Sequence, residues 1–79
     1  MIIAKELRAK KLKALAESEG VTLGELLEHA VTDSACPGIC VDAACDYTIA
    51  EIEPDQRAGY CEGCGRNTVQ SCLVLFGVI

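Results

Sequence analysis

Apolar positions recur on a helical period through the first third of this chain. Residues 4–19 predict a helix in which Ile3, Leu7, Ala14 and Leu15 gather on one side, Leu12 sits at the edge and lysines cover the rest. Gly20 is the natural stop, because glycine enters the left-handed conformation without a steric cost. Thr22-Leu23-Gly24-Glu25 then forms a capping box, and Val21 and Leu26 occupy the two positions of a hydrophobic staple. Leu23, Leu26, Leu27, Ala30 and Val31 continue the helical spacing, so a second helix is expected over about 23–33. A turn this short folds the two helices back on each other as a hairpin.

Pro37 and Gly38 break that rhythm. Tyr47 to Glu53 alternates and carries β-branched residues, which predicts a strand. Pro54-Asp55-Gln56 reads as a turn and Gly59-Tyr60-Cys61 as a returning strand, giving a small β-hairpin. In the tail, Val69, Cys72, Leu73 and Phe76 fit a helix, with Thr68 as its N-cap and Gly77 as its stop. A buried strand over Leu73-Val74-Leu75-Phe76 is the alternative, since a short apolar run does not reveal its period.

The cysteines change the picture most. Cys40 and Cys45 form C-x4-C, and Cys61 and Cys64 form C-x2-C after a fifteen-residue spacer. Paired thiolates on two tight loops are what a tetrahedral zinc ion requires, and Gly65 directly after Cys64 suits a knuckle turn that needs a positive φ. Four thiolates fill a tetrahedron, so the expected ion is a single structural zinc, with rubredoxin-like iron as the chemical alternative. Two other cysteines compete for places. Cys36 makes C-x3-C with Cys40 and could replace Cys45, and Cys72 could also be recruited. Both also read as packing residues, because free cysteine is among the most buried residue types, or as a thiol pair. His29, the one histidine, reads as a polar helix residue and not a ligand.

Length makes such a staple useful. Seventy-nine residues support one domain at most and bury too little surface to be more than marginally stable alone. Charges interrupt the apolar residues from Lys5 through Lys13, so the start of the chain does not read as a secretory signal, and a reducing cytoplasm is expected. There metal binding outweighs disulfides. No stretch has the length of a membrane span.

The net charge is −5, which disfavours partners that bring phosphates. Five of the seven basic residues, Lys5, Arg8, Lys10, Lys11 and Lys13, nevertheless lie in the first helix. They are the candidate nucleic-acid contacts. Ala16-x-x-x-Gly20-Val21-Thr22 with Leu15 and Leu26 resembles part of a helix-turn-helix. Glu19 and His29 then fall where apolar residues belong, and the would-be recognition helix carries Glu25 and Glu28 with no Lys or Arg. Glu51, Glu53 and Asp55 cluster near the turn, but no histidine, nucleophile motif or Gly-rich phosphate loop accompanies them, so they read as solvated turn residues and not as an active site.

Pro37-Gly38-Ile39-Cys40, Glu53-Pro54-Asp55-Gln56, Gly59-Tyr60-Cys61-Glu62-x-Cys64 and Thr68-Val69-x-Ser71-x-Leu73-Val74-Leu75 together resemble a group of small bacterial and phage zinc-ribbon-like proteins over about residues 32–79. The resemblance implies Cys40, Cys45, Cys61 and Cys64 as the ligands and leaves Cys36 and Cys72 outside. It carries no function to transfer.

The expected fold is therefore small α+β. A helical hairpin spans 1–35, and a zinc-ribbon-like module with a short apolar helix or strand at its end spans 36–79, the two packed as one domain. The expected role is a non-enzymatic, zinc-stabilised interaction module. It would bind a protein or itself through the tail from Leu73 to Ile79, with transcription-associated nucleic-acid binding as the alternative.

Overall fold

A computed structural model describes residues 5–32 and 36–78. Ile3, Ala4, Asp33 and Ile79, to which the sequence reading assigned roles in the helices and the tail, lie outside the described residues. The elements in chain order are α1 (Lys5–Glu19), α2 (Leu23–Thr32), β1 (Gly38–Cys40), β2 (Thr48–Ile49), β3 (Gly59–Tyr60), β4 (Asn67–Ser71) and α3 (Cys72–Phe76). The fold is small α+β, as expected.

Both turns of the helical part are built from the predicted signals. Gly20 sits at φ 72°, and Val21 N donates to Ala16 O while Gly20 N donates to Glu17 O, which completes a Schellman motif. Thr22 N donates to Glu25 Oε1 and Glu25 N donates to Thr22 Oγ1, both at 3.1 Å, so the capping box is formed. The thr22 N–H, followed by the Thr22 hydroxyl, holds the Glu25 carboxyl below its ordinary range. The buried stripe of α1 is Lys11, Leu12, Leu15 and Ala16, with Leu7 and Ala14 only half-buried. That stripe is rotated from the predicted one, because the helix packs against β1 and α3 as well as α2. On α2, Leu26 and Ala30 are buried, while Leu23 and Val31 stay exposed.

The strands pair differently from the sequence expectation. The sheet is antiparallel with order β2-β1-β4-β3. The predicted hairpin of Tyr47–Glu53 against Gly59–Cys61 does not exist, since β2 and β3 lie on opposite edges. Each cysteine pair instead has its own hairpin: β1 and β2 carry the first, β3 and β4 the second. The strand predicted over Tyr47–Glu53 shortens to Thr48–Ile49, bends at Ala50 and touches β1's approach once more where Ile52 N donates to Cys36 O at 2.9 Å. Gly38 makes this crowding tolerable, because a Cβ there would meet Ile52 Cδ1 and the Gln70 carbonyl.

Strand β4, one of the two central strands, was not predicted as a strand. Its Thr68, Gln70 and Ser71 are buried polar residues, and the capping role falls on Ser71 instead of Thr68. Ser71 Oγ accepts from Val74 N at 3.2 Å and itself donates to Pro54 O, while Ser71 N donates to Gln56 O at 3.0 Å. The Pro54-Asp55-Gln56 turn is thereby tied to the junction of β4 and α3. Gly77 closes α3 at φ 79° with a second Schellman motif, Val78 N to Leu73 O and Gly77 N to Val74 O. Leu73 and Leu75 bury themselves against α1 and α2. Leu73 to Phe76 is thus helix packed on its own chain, with Gly77 and Val78 exposed beyond it.

Candidate metal centre

Because β1 and β4 run antiparallel with Cys40 opposite Val69, the ends of both hairpins arrive at one end of the sheet. Cys40 closes β1 and Cys45 lies in the loop to β2. Cys61 follows β3 and Cys64 lies in the turn to β4. The four Sγ atoms lie within 4.8 Å of one another. Cys40 Sγ is 3.8 Å from Cys64 Sγ, and Cys45 Sγ is 3.7 Å from Cys61 Sγ. A tetrahedron with metal–sulfur bonds of about 2.3 Å has edges of about 3.8 Å. The site therefore has the size of one tetrahedrally coordinated ion. A multi-iron cluster, which spreads its thiolates around a core of several irons and sulfides, does not fit in it.

The knuckles are shaped by backbone as much as by side chains. Cys61 N donates to Arg66 O at 2.7 Å, Gly65 N donates to Cys61 O at 2.8 Å, and Gly65 takes φ 76°, the positive angle expected of it. In the first knuckle Cys40 N donates to Tyr47 O at 2.9 Å and Cys45 N to Asp42 O at 3.1 Å. The second cysteine of each pair accepts from the amide two residues on, Cys45 from Tyr47 and Cys64 from Arg66. The two loops are thus equivalent at their ligand ends despite different lengths. They also touch: a Cβ on Gly63 would lie 3.0 Å from Tyr47 Cβ and 3.3 Å from Cys45 Sγ.

Thr68 supports the sulfurs from β4. Its buried hydroxyl lies 2.9 Å from Cys40 Sγ and 3.7 Å from Cys64 Sγ. The Thr68 hydroxyl, then the Arg66 amide, lowers the Cys64 thiol to about 7. Cys45 is drawn down by the Tyr47 amide, yet burial and the neighbouring Cys40 and Cys61 thiols push it up to about 11. A divalent cation removes that opposition by taking all four sulfurs as thiolates. Sequence reasoning missed Thr68 as a sulfur partner; its place four residues after Cys64 on a strand leaving the knuckle was the available signal.

The competing cysteines are elsewhere. Cys36 and Cys72 are fully buried among the residues under α1 and α2, with their sulfurs 3.6 Å apart. Burial, then contact with Cys36, pushes the Cys72 thiol up to about 12. Neither belongs to the four-sulfur group. His29 is exposed on α2.

Of the five basic residues of α1, Lys5, Arg8, Lys10 and Lys13 are exposed. Lys11 is not on that solvated face: it is 2% exposed and its Nζ donates to Asp42 O, Cys45 O and Asp46 Oδ1. The lysine, first by its hydrogen bond and then by its charge, holds the Asp46 carboxyl below its ordinary range. Among the described residues no helix is long and apolar enough to cross a membrane. Comparison with protein-family models, curated proteins and solved structures finds no match to this chain.

Proposed function

We propose that the protein is a non-enzymatic interaction module whose shape is held by one structural zinc ion on Cys40, Cys45, Cys61 and Cys64. The observation that carries this reading is the group of four sulfurs within 4.8 Å of one another. Such a donor set occupies every corner of a tetrahedron, whereas a catalytic zinc keeps a position for water or substrate. Zinc is favoured over iron because a closed tetrahedron of four cysteines on two short loops is the usual structural zinc site. The likeness of the cysteine loops to zinc-ribbon-like proteins supports the same reading. Binding then falls to the surface that the ion organises. The exposed apolar residues Leu23 and Val31 on α2 and Val78 after α3 are candidates for contact with a protein partner or a second copy.

Nucleic-acid binding through Lys5, Arg8, Lys10 and Lys13 ranks second. The withdrawal of Lys11 into the fold weakens it, as does the net charge of −5.

Cobalt substitution tests the closed site. Added cyanide or imidazole should leave the visible spectrum of the cobalt-loaded protein unchanged. A ligand-dependent change of spectrum would reveal an open coordination position and overturn the structural assignment. Light scattering of the metal-loaded protein, alone and with Leu23→Ser and Val31→Ser, addresses self-association: concentration-dependent dimers lost in the variants support it, and a strict monomer leaves only a foreign partner.

A further inference from the structure

Lys11 is the one buried charged residue among the described residues. A lysine is almost never fully buried unless it is paired. Here the ammonium's three N–H groups are all used, on Asp42 O and Cys45 O at 2.5 Å each and on Asp46 Oδ1 at 2.8 Å. Two of the three partners are main-chain carbonyls of the loop between Cys40 and Cys45, and one of those belongs to Cys45 itself. The third, Asp46, is a weak counter-ion, because its side chain is 74% exposed and its charge is shared with water. A buried ammonium facing two dipoles and a solvated carboxylate lacks a full compensating charge. Four thiolates around a divalent ion carry a net charge of −2, and that charge would stand beside the Cys45 carbonyl.

We infer that Lys11 is a positioning residue of the metal centre: its ammonium clamps the Cys40–Cys45 loop through the Asp42 and Cys45 carbonyls and supplies the cation that balances the metal-bound thiolates. This rests on the metal reading above. It makes the helical hairpin a part of the site, since the residue that holds the ligand loop is carried by α1 on the same buried stripe as Leu12, Leu15 and Ala16. Partners outside the ligand shell typically change metal affinity by about 10- to 100-fold.

Cobalt and zinc titrations of the full chain test it, using Lys11→Met, Lys11→Arg, Asp46→Asn, Lys10→Met and Leu15→Ala. Lys11→Met should lose about 10- to 100-fold in affinity. Asp46→Asn and Lys10→Met, which remove charges that are themselves exposed, should stay within about fivefold. Lys11→Arg keeps the charge and should recover most of the loss. The thiolate-to-cobalt charge-transfer absorption of Lys11→Met should move to lower energy, because losing a nearby cation raises the sulfur lone pairs. Leu15→Ala weakens packing without touching that cation, so its absorption should not move. Should Lys11→Met be too unstable to load, Lys11→Gln decides in its place, since it keeps N–H donors for the carbonyls without the charge and should weaken binding and shift the absorption in the same direction. Equal losses in Lys11→Met and Asp46→Asn would reduce Lys11 to an ion-pair partner and overturn the inference. So would an unshifted absorption in Lys11→Met. An unaltered chain that binds no metal would overturn the metal reading and this inference with it, whereas normal binding by Lys11→Met would overturn this inference alone.

Discussion

The two ends of this small molecule are held by different physics. Beneath the helices, Leu12, Leu15, Ala16, Leu26, Ala30, Cys36, Ile39, Val41, Cys72, Leu73 and Leu75 form a continuous buried cluster. At the knuckles, the fully buried residues are Cys40, Cys61 and Val69, and two of those three belong to the four-sulfur group. The helical end can be stabilised by removing apolar surface from water. The knuckle end buries Val69 fully and Tyr47, Ile49 and Ile52 only in part, so without an ion little more than these side chains holds its two loops and four thiols together. The lesson is that the six cysteines divide between the two ends: four form a group that could hold a metal ion where the apolar core is thin, and two, Cys36 and Cys72, belong to the core itself.

The ends are not independent, because β1 and β4 serve both. In β1, Ile39 belongs to the cluster beneath the helices and its neighbour Cys40 to the knuckles, while β4 puts Val69 at the knuckles and leads directly into α3, whose Cys72 lies beneath the helices. Removing the metal should therefore have the largest effect of any change. Structural zinc contributes roughly 10–16 kcal/mol in small zinc domains, against a total stability of about 5–15 kcal/mol for a typical domain. Chelation, or Cys61→Ser, is expected to abolish the dispersed amide spectrum of the whole chain, with residual helix left in circular dichroism. A chelated protein that keeps its sheet amides in place would break the comparison outright.

Damage to the helical end should look different. Leu15→Ala opens a cavity in the main cluster and should cost about 2–5 kcal/mol in denaturant unfolding of the metal-loaded protein, while metal stoichiometry stays at one per chain. Gly63→Ala strikes the other end. Its Cβ would press on Tyr47 Cβ and Cys45 Sγ where the two loops meet. Overpacking of this kind costs about 1–3 kcal/mol, and the loss should appear as weaker metal binding in a chelator competition. If Leu15→Ala weakened metal binding more than Gly63→Ala does, the division of labour would be wrong.

The smallest effect concerns the turn between the first two helices. Thr22→Ala removes an N-cap and should cost about 1 kcal/mol. The capping box also has a pH signature. Glu25 is held below its ordinary value of 4.5 by the Thr22 amide. Its contribution is fully present above that ordinary value and fades as pH falls through the lower folded value, because the unfolded chain binds the proton first. Acid titration of stability should therefore fall less steeply in Glu25→Gln, which has no carboxyl to protonate, than in the unaltered chain.

What the sequence revealed follows how local each signal is. Gly20, the Thr22–Glu25 box, Gly65 and Gly77 act over four or five residues, and each appears in the structure where its chemistry placed it. The convergence of Cys40, Cys45, Cys61 and Cys64 was legible because thiol pairs on tight loops have few other uses. The strand pairing was not. Asn67-Thr68-Val69-Gln70-Ser71 is mostly polar, and it becomes a central strand because its neighbours on both sides, a hydroxyl–sulfur contact at Thr68 and the Pro54–Gln56 turn at Ser71 satisfy it. Alternation of apolar residues cannot announce such a strand. Lys11 was hidden for a related reason. Among five basic residues on one helix, only the fold shows which one meets a loop 31 residues away.

The central claim is that one ion on four thiolates replaces a core at the knuckle end. Native mass spectrometry of the purified protein, with thiol alkylation before and after chelation, tests it most directly. The account predicts one zinc ion per chain and no reactive thiol in the loaded protein. After chelation Cys40, Cys45, Cys61 and Cys64 should be the first to alkylate, ahead of the buried Cys36 and Cys72. A folded protein that carries no metal, or a loaded one in which any of the four ligand cysteines alkylates freely, would contradict it.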